Sequence, residues 1–479
     1  MINQYEMVIG LEIHAELKTQ SKIYCSCSTQ FGSDPNTQCC PICLGLPGTL
    51  PILNEKVVEY AIRAGLAMNC SIATKTKQDR KNYFYPDLPK GYQISQYDQP
   101  LCYEGYVEIP LKKGTKKIGI QQIHIEEDAG KLIHTKEGTF IDYNRSGVPL
   151  IEIVSKPDLS SPQEAKQYLE RIRMILLYIG VSDCKMNEGS LRCDINVSVR
   201  KKGDIHYGER TEIKNMNSFS YAVKAIEYEA KRQMQVLEEG KTIIKETRRW
   251  DEKSQCTVPM RKKEEAEDYR YFPDPDLPYI YISEEQIERI KESLPELPNE
   301  KKQRLMSTYD INGDDAELLI ANPKIGQFFE ETMMYFSNSL MAVNWIMGEG
   351  FRLLAEKDKE TEIFPFTAMQ FAEFLQLIED ETISNSIGKK VFEKMWNAEE
   401  SPSHIVERYG WKQISNPQEL ESIIHEVLSQ NQKSVEDYLS GKKVASKALM
   451  GQVMKKTKGK ANPRKANEIL KKRLKEKLS

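Results

Sequence analysis

The sequence predicts an α+β protein: a sheet-bearing N-terminal domain (1–293), an all-α domain (294–405) and a small basic helical end (406–479). Three observations carry that division. Residues 11–17 and 190–200 alternate between apolar and polar side chains with the period of a half-buried strand. Beyond Leu294-Pro-Glu-Leu-Pro298 the alternation stops, and apolar residues recur at helical spacing. From Gly441 to Ser479 there are 14 Lys and Arg against 2 Glu, although the whole chain stands near neutrality at −3. At 479 residues the chain is long enough for about three domains, each burying its own core.

In Val8-Ile-Gly-Leu-Glu-Ile-His-Ala-Glu-Leu17, Leu11, Ile13, Ala15 and Leu17 fall on one strand face and Glu12, His14 and Glu16 on the other. Alternate residues on a strand lie about 7 Å apart, so these carboxylates and the imidazole can share one hard cation. A solvated polar face has the same pattern, and the surrounding elements have to decide between the two.

The chain start lacks the profile of a signal or transit peptide, and no apolar run is long enough to span a bilayer, which predicts a cytosolic protein with no membrane partner. Its ten cysteines are then reduced thiols or metal ligands. Cys25-Ser-Cys27 and Cys40-Pro-Ile-Cys43, separated by twelve residues, suit a tetrahedral four-thiolate zinc site closing a loop over 25–43. Cys39 competes with Cys40 for one position. A closed shell of four cysteines leaves no open coordination site, so such a zinc is structural. Cys70, Cys102, Cys184, Cys193 and Cys256 read mostly as core residues.

Gly45-Leu-Pro-Gly-Thr-Leu-Pro51 is a turn-rich connector into a helix over 55–68. Residues 79–98 hold two prolines and five aromatics with no single period, and read as an ordered loop; Lys81 and Lys90 in it are candidate contacts for phosphate or a polar substrate. A strand over 118–127 ends in Glu126-Glu-Asp128, three acids that supply metal ligands or a solvated cap. The run Val148–Val154 carries Glu152 among apolar residues, where a carboxylate is costly unless paired or bound to a cation. Ser161-Pro162 caps and starts a helix that stops at Gly180.

The strand over 190–200 puts Ser190, Arg192, Asp194, Asn196, Ser198 and Arg200 on one face, dense enough in hydrogen-bonding groups to floor a polar site. Lys214-Asn-Met-Asn-Ser218 adds a cation and two amides. A helix follows over 219–239, and the proline-punctuated 269–278 leads out of the domain. Further on, Asn338–Leu353 and Ala368–Ile378 read as amphipathic helices, and the basic end suits contact with a phosphate backbone. There is no G-x-x-x-x-G-K-[ST] loop, no G-x-G-x-x-G after a strand and no G-x-S-x-G elbow, which excludes the common nucleotide cradles and that nucleophile.

Several strings in fixed order say more than any one motif. Val8-Ile-Gly-Leu-Glu-Ile-His14, Arg80-Lys-Asn-Tyr-Phe-Tyr-Pro-Asp87, Gly91-Tyr-Gln-Ile-Ser-Gln96, His124-Ile-Glu-Glu-Asp-Ala-Gly130, Pro149-Leu-Ile-Glu-Ile-Val154 and Glu188-Gly-Ser-Leu-Arg-Cys-Asp194 closely resemble the B subunits of aspartyl/glutamyl-tRNA amidotransferases. The resemblance continues through Asp268-Tyr-Arg-Tyr-Phe-Pro-Asp274 to Gly451-Gln-Val-Met-Lys455. It implies a cradle with a mixed or antiparallel sheet, related in fold to the glutamine synthetase catalytic domain. It implies that ATP phosphorylates the side-chain carboxylate of Glu-tRNA(Gln) or Asp-tRNA(Asn), and that ammonia from an amidase partner, the A subunit, displaces the phosphate; a small C subunit holds the pair together. The ligands it implies for Mg²⁺ or Mn²⁺ are Glu12, His14, Glu127 and Glu152, with Lys81, Lys90 and Glu127 near the chemistry and zinc on Cys25, Cys27, Cys40 and Cys43. Arg192, Lys214 and Asn217 are our candidates for the ATP phosphates. The rival reading is a non-catalytic, zinc-stabilised RNA-binding scaffold, which has no need of Glu152 in an apolar strand.

Overall fold

The computed structural model describes residues 4–214, 216, 218–262, 269–357, 363–397, 400–442 and 444–476. It divides into two compact units, Met1–Pro298 and Asn299–Ser479. Unit 1 is built on a nine-stranded sheet of β1 (Tyr5–Glu16), β2 (Ser71–Ile72), β3 (Cys102–Pro110), β4 (Thr115–Glu127), β5 (Pro149–Ser155), β6 (Leu191–Lys201), β7 (Thr211–Lys214), β8 (Glu246–Asp251) and β9 (Cys256–Lys262), in the order β9-β8-β7-β6-β1-β5-β4-β3-β2. Neighbours run antiparallel except β7 and β8, so the sheet is mixed and the protein α+β.

The period-two pattern of β1 is realised: Ile9, Leu11, Ile13 and Ala15 are buried in the core, and Glu12, His14 and Glu16 point the other way. Three helices pack on the sheet: α1 (Glu55–Ala67), α2 (Pro162–Tyr178) and α3 (Phe219–Glu238). Their apolar stripes explain why they stay there. In α2, Leu169, Ile172 and Leu176 are fully buried, each stabilising the fold by roughly 1.5–3 kcal/mol relative to exposure. Ser161 accepts from the Glu164 N–H and Pro162 occupies the first turn, as the sequence suggests.

Residues 79–98 hold more order than their composition shows. Asp79–Asn82 and Tyr92–Ser95 pair antiparallel and take Phe272–Pro273 on the outer edge. Four-residue strands with polar side chains have too few repeats to show a period.

In unit 2 the expected helix over 338–353 is interrupted. Ser339–Trp345 passes through a π-helical turn, Ile346–Gly350, into Phe351–Lys357. A Cβ at Gly350 would stand 3.0 Å from the Phe364 ring, so glycine lets that ring pack closely on the widened turn. The helices Pro417–Gln430, Gln432–Leu439, Val444–Lys456 and Pro463–Glu476 share a core of their own around Leu420, Ile424, Leu449, Val453 and Leu470. Among the described residues no helix is long and apolar enough to cross a membrane.

Candidate active site

The polar face of the central strands is ruled into rows by cross-strand pairing. His14 stands opposite Glu152 on β5 and Arg192 on β6, and Glu152 stands opposite His124 on β4. Cross-strand partners share a face, so Glu152 and both imidazoles converge. His14 Nε2 lies 3.3 Å from Glu152 and 3.6 Å from Glu126; His124 Nε2 lies 3.3 Å and 3.7 Å from the same two carboxylates. His14, Glu126 and Glu152 offer three ligand atoms within 4.8 Å of one another.

Electrostatics bind the group together. Burial works against the His124 imidazolium, but Glu152 and Glu126 outweigh it and push its pKa up to about 10. Burial also opposes charge on Glu152, yet the two imidazoles hold its carboxyl well below the usual range. His14 is raised in the same way by Glu152 and Glu126 against its own burial. His124, absent from the sequence-based candidates, is signalled only by its spacing of two residues from Glu126.

One row along, Glu12 meets Asp194 and Glu212, again within 4.8 Å. Asn196 donates to Glu12 at 2.9 Å, and Lys214 reaches Asp194 at 2.9 Å and Glu212 at 3.2 Å. Burial raises the Glu12 carboxyl, and Glu152 and Asp194 raise it further.

The residues expected around a metal are thus distributed over three places. His14 and Glu152 stand together, Glu12 belongs to the neighbouring group, and Glu127 faces elsewhere. Glu127 continues the core-facing row of Ile123 and Ile125; its carboxylate takes Lys90 at 2.5 and 2.6 Å and the Ile94 N–H at 2.8 Å. Its neighbour Glu126 carries the carboxylate that faces His14. Lys81 stands on the edge of this face, its ammonium over the rings of Tyr269 and Tyr83 at 5.0 and 5.8 Å. Although burial opposes its charge, the Glu126 carboxylate and more weakly Glu152 hold its pKa above the ordinary lysine value. Both described cations chosen for phosphate are already paired: Lys214 as above, and Arg192 with Asp128. Asn217 lies outside the described residues.

The cysteine loop gathers as its spacing predicts. Cys25, Cys27, Cys40 and Cys43 bring their sulfurs within 4.8 Å of one another, a fit to a tetrahedral thiolate zinc site. Cys39 turns away toward Asn144, 3.9 Å from its Oδ1, and Cys40 is the one that joins the cluster. A hydrogen bond from Cys25, the Cys40 N–H and the Lys22 ammonium 3.7 Å from its sulfur pull the Cys43 thiol well below its usual range.

A His–carboxylate group converging on one sheet face is a set of side chains that could hold a hard cation. Comparison with known proteins gives the family. Residues 7–288 match the GatB/GatE catalytic domain and residues 327–474 the GatB domain, so the chain belongs to the family of tRNA-dependent amidotransferase B subunits, within the glutamine-hydrolysing carbon–nitrogen ligases. In particular, it is similar end to end to proteins named as B subunits of aspartyl/glutamyl-tRNA(Asn/Gln) amidotransferase. The one from Thermoanaerobacter pseudethanolicus is 57% identical over 472 residues, covering 98% of this chain and 99% of that protein. Those of Caldicellulosiruptor saccharolyticus and Clostridium tetani are 55% and 52% identical over 476 and 467 residues, covering 98% and 97% of this chain and 99% and 98% of theirs.

Proposed function

We propose that unit 1 phosphorylates the side-chain carboxylate of Glu-tRNA(Gln), Asp-tRNA(Asn) or both with ATP, and then lets ammonia displace the phosphate to give the amide. The observation that carries this reading is the convergence of His14, Glu126 and Glu152, with Lys81 at their edge. These three residues would hold Mg²⁺ or Mn²⁺, with Glu12 in the next row; the ion supplies charge neutralisation as a phosphoryl group moves between oxyanions. His124 holds both carboxylates of the group in place. Lys81 steadies the carboxylate or phosphate that reacts. Lys90, locked to Glu127 behind the sheet edge, acts as a positioning pair rather than a metal ligand. Arg192 and Lys214 reach phosphate only by exchanging Asp128 and Asp194 for it; Asn217 stays a candidate phosphate contact.

The cradle resembles the glutamine synthetase catalytic domain in what it would do: a sheet floor presenting acids to a metal-bound nucleotide. Zinc on Cys25, Cys27, Cys40 and Cys43 stiffens the loop beside it. The protein works in the cytoplasm with two partners, an amidase (the A subunit) that releases ammonia and a small third chain (the C subunit). The basic helical end at 406–479 holds the mischarged tRNA. The test is ADP release by the assembled complex with ATP, Mg²⁺ and Glu-tRNA(Gln), without amide donor, against uncharged tRNA(Gln). Release that needs the esterified glutamate is expected; tRNA binding without it, for Asp-tRNA(Asn) as well, would leave only a scaffold.

A further inference from the structure

Lys22 is fully buried, and none of the roles above uses it. It stands just ahead of Cys25 in the chain. Its N–H donates to the Cys27 carbonyl at 2.9 Å, and the N–H of Ile23 donates to the Gly147 carbonyl at 2.9 Å. The backbone is thus fixed on both sides, and the side chain runs to Cys43 and Tyr143. Its ammonium donates to the Cys43 sulfur at 3.7 Å and to the Tyr143 carbonyl at 3.2 Å.

A buried ammonium is costly unless an anion faces it. Among the described residues no carboxylate pairs with Lys22. The two carboxylates that line the same cavity have cations of their own: Glu127 holds Lys90 and Asp276 holds Arg80. What faces Lys22 is sulfur. We infer that Lys22 is the built-in counter-charge of the four-thiolate zinc site and positions Cys43 within it, a proposal that rests on the zinc reading above.

The charges match. Four thiolates around a divalent zinc leave negative charge in excess, and Cys43, the ligand that Lys22 touches, is the buried one of the four. Excess negative charge is as unwelcome in the interior as a lone ammonium, and each offsets the other at contact distance. Groups that hydrogen-bond a metal ligand from outside the coordination shell fix its orientation, and a charged donor does so more strongly than a neutral one. The second bond sets where the cluster sits. Tyr143, whose carbonyl takes Lys22, receives at its own N–H the Asn36 Oδ1 of the cysteine loop at 2.8 Å, and its hydroxyl donates to the Pro86 carbonyl at 2.8 Å. Through Tyr143, Lys22 ties the thiolates to the turn on which both the cysteine loop and the 79–98 segment rest.

The test removes zinc and the lysine charge separately and together. The assembled complex is prepared with the parent chain, with Lys22→Met, which keeps an apolar stem, and with Lys22→Gln, which keeps a donor without the charge. Zinc content is measured by emission spectrometry, and zinc release to a chromogenic chelator is timed. Lys22→Met should release zinc at least about tenfold faster than the parent, as when a group supporting a metal ligand is lost, and Lys22→Gln should fall between them. Thermal melting is then followed before and after zinc is stripped. Stripping should lower the melting temperature of the parent by about 2–4 °C more than that of Lys22→Met, because only the parent has a charge for zinc and its thiolates to meet. A lysine that serves packing alone, held by the Tyr143 carbonyl, would give equal shifts in the two proteins, and that result overturns the proposal. So does zinc release unchanged by both substitutions. If Lys22→Met does not assemble, Lys22→Gln carries both measurements. A parent complex that holds no zinc would sink the zinc reading and the proposal with it, whereas zinc held equally well with and without the lysine charge would sink the proposal alone.

Discussion

Two acidic groups stand side by side on one sheet face and are built on opposite principles. His14, Glu126, Glu152 and His124 compensate one another: two imidazoles face two carboxylates, Glu152 is held ionised and His124 held protonated to about 10. In the group of Glu12, Asp194 and Glu212, Lys214 bridges Asp194 and Glu212, while Glu12 accepts from the neutral Asn196 and is driven up by burial and by its acidic neighbours. The first is a closed ion cluster, geometrically fixed before anything binds. In the second, burial and acidic neighbours work against charge on Glu12, so that carboxylate gains from an incoming cation. Preorganisation and charge disfavoured by burial are different ways for a protein to prepare a cation site, and here one strand, β1, contributes to both through residues two apart.

That contrast can be broken by substitution. Glu152→Gln removes the carboxylate that both imidazoles share. Charged-tRNA-dependent ADP release should fall on the order of 10³-fold, the several kcal/mol a positioned cation contributes, with tRNA affinity intact. Equal loss of both in a folded complex would deny Glu152 its assigned role. His124→Asn leaves all three ligand atoms but loosens two of them. A loss of about 10–100-fold is expected, recovered in part at high Mg²⁺, as when a group supporting a metal ligand is removed. A rate insensitive to this change would mean that Glu126 and Glu152 are positioned without it. Asp194→Asn acts on the group around Glu12 and leaves Lys214 on Glu212. Its effect should be about tenfold and appear in the Mg·ATP concentration needed, with the maximal rate nearly kept. A drop in maximal rate instead would merge the two groups into one site.

The smallest effect lies at the edge of the face. Burial, and then Asp128, raise the Glu16 carboxyl to about 8, and a hydrogen bond ties it to Asp128. The raised value means that the folded state keeps a proton the unfolded chain gives up near 4.5. Stability from this group is therefore full below about pH 4.5 and lost as pH rises through 8. Glu16→Gln supplies a donor to Asp128 at every pH, so the variant should gain about 1–2 kcal/mol over the parent at pH 8.5 and little at pH 5. Denaturant titrations at the two pH values check this; a difference independent of pH would remove the shared proton.

Much of the architecture was legible without coordinates. The alternation in β1 and β6 is long enough to show its period, and helices α1, α2 and α3 begin where Asn54, Ser161 and Ser218 cap them. The strands β3, β8 and β9 and the short pair within 79–98 were not, because charged edge strands and four-residue strands do not alternate cleanly. The acids and thiols of the site were also legible, since Glu152 in an apolar run and paired cysteines are expensive or odd unless used.

What the sequence by itself determined about this protein is its family, its α+β plan and the two faces of each long strand, because these follow from residue order and a period of two. Which carboxylate of Glu126-Glu127 joins His14, that Cys40 rather than Cys39 turns toward the other thiols, and that Arg192 and Lys214 are already paired were decided only by the tertiary structure. The physical reason is register. The period says that Glu126 and Glu127 face opposite ways, but only the pairing of β4 with β5 and of β5 with β1 says which of them looks at His14.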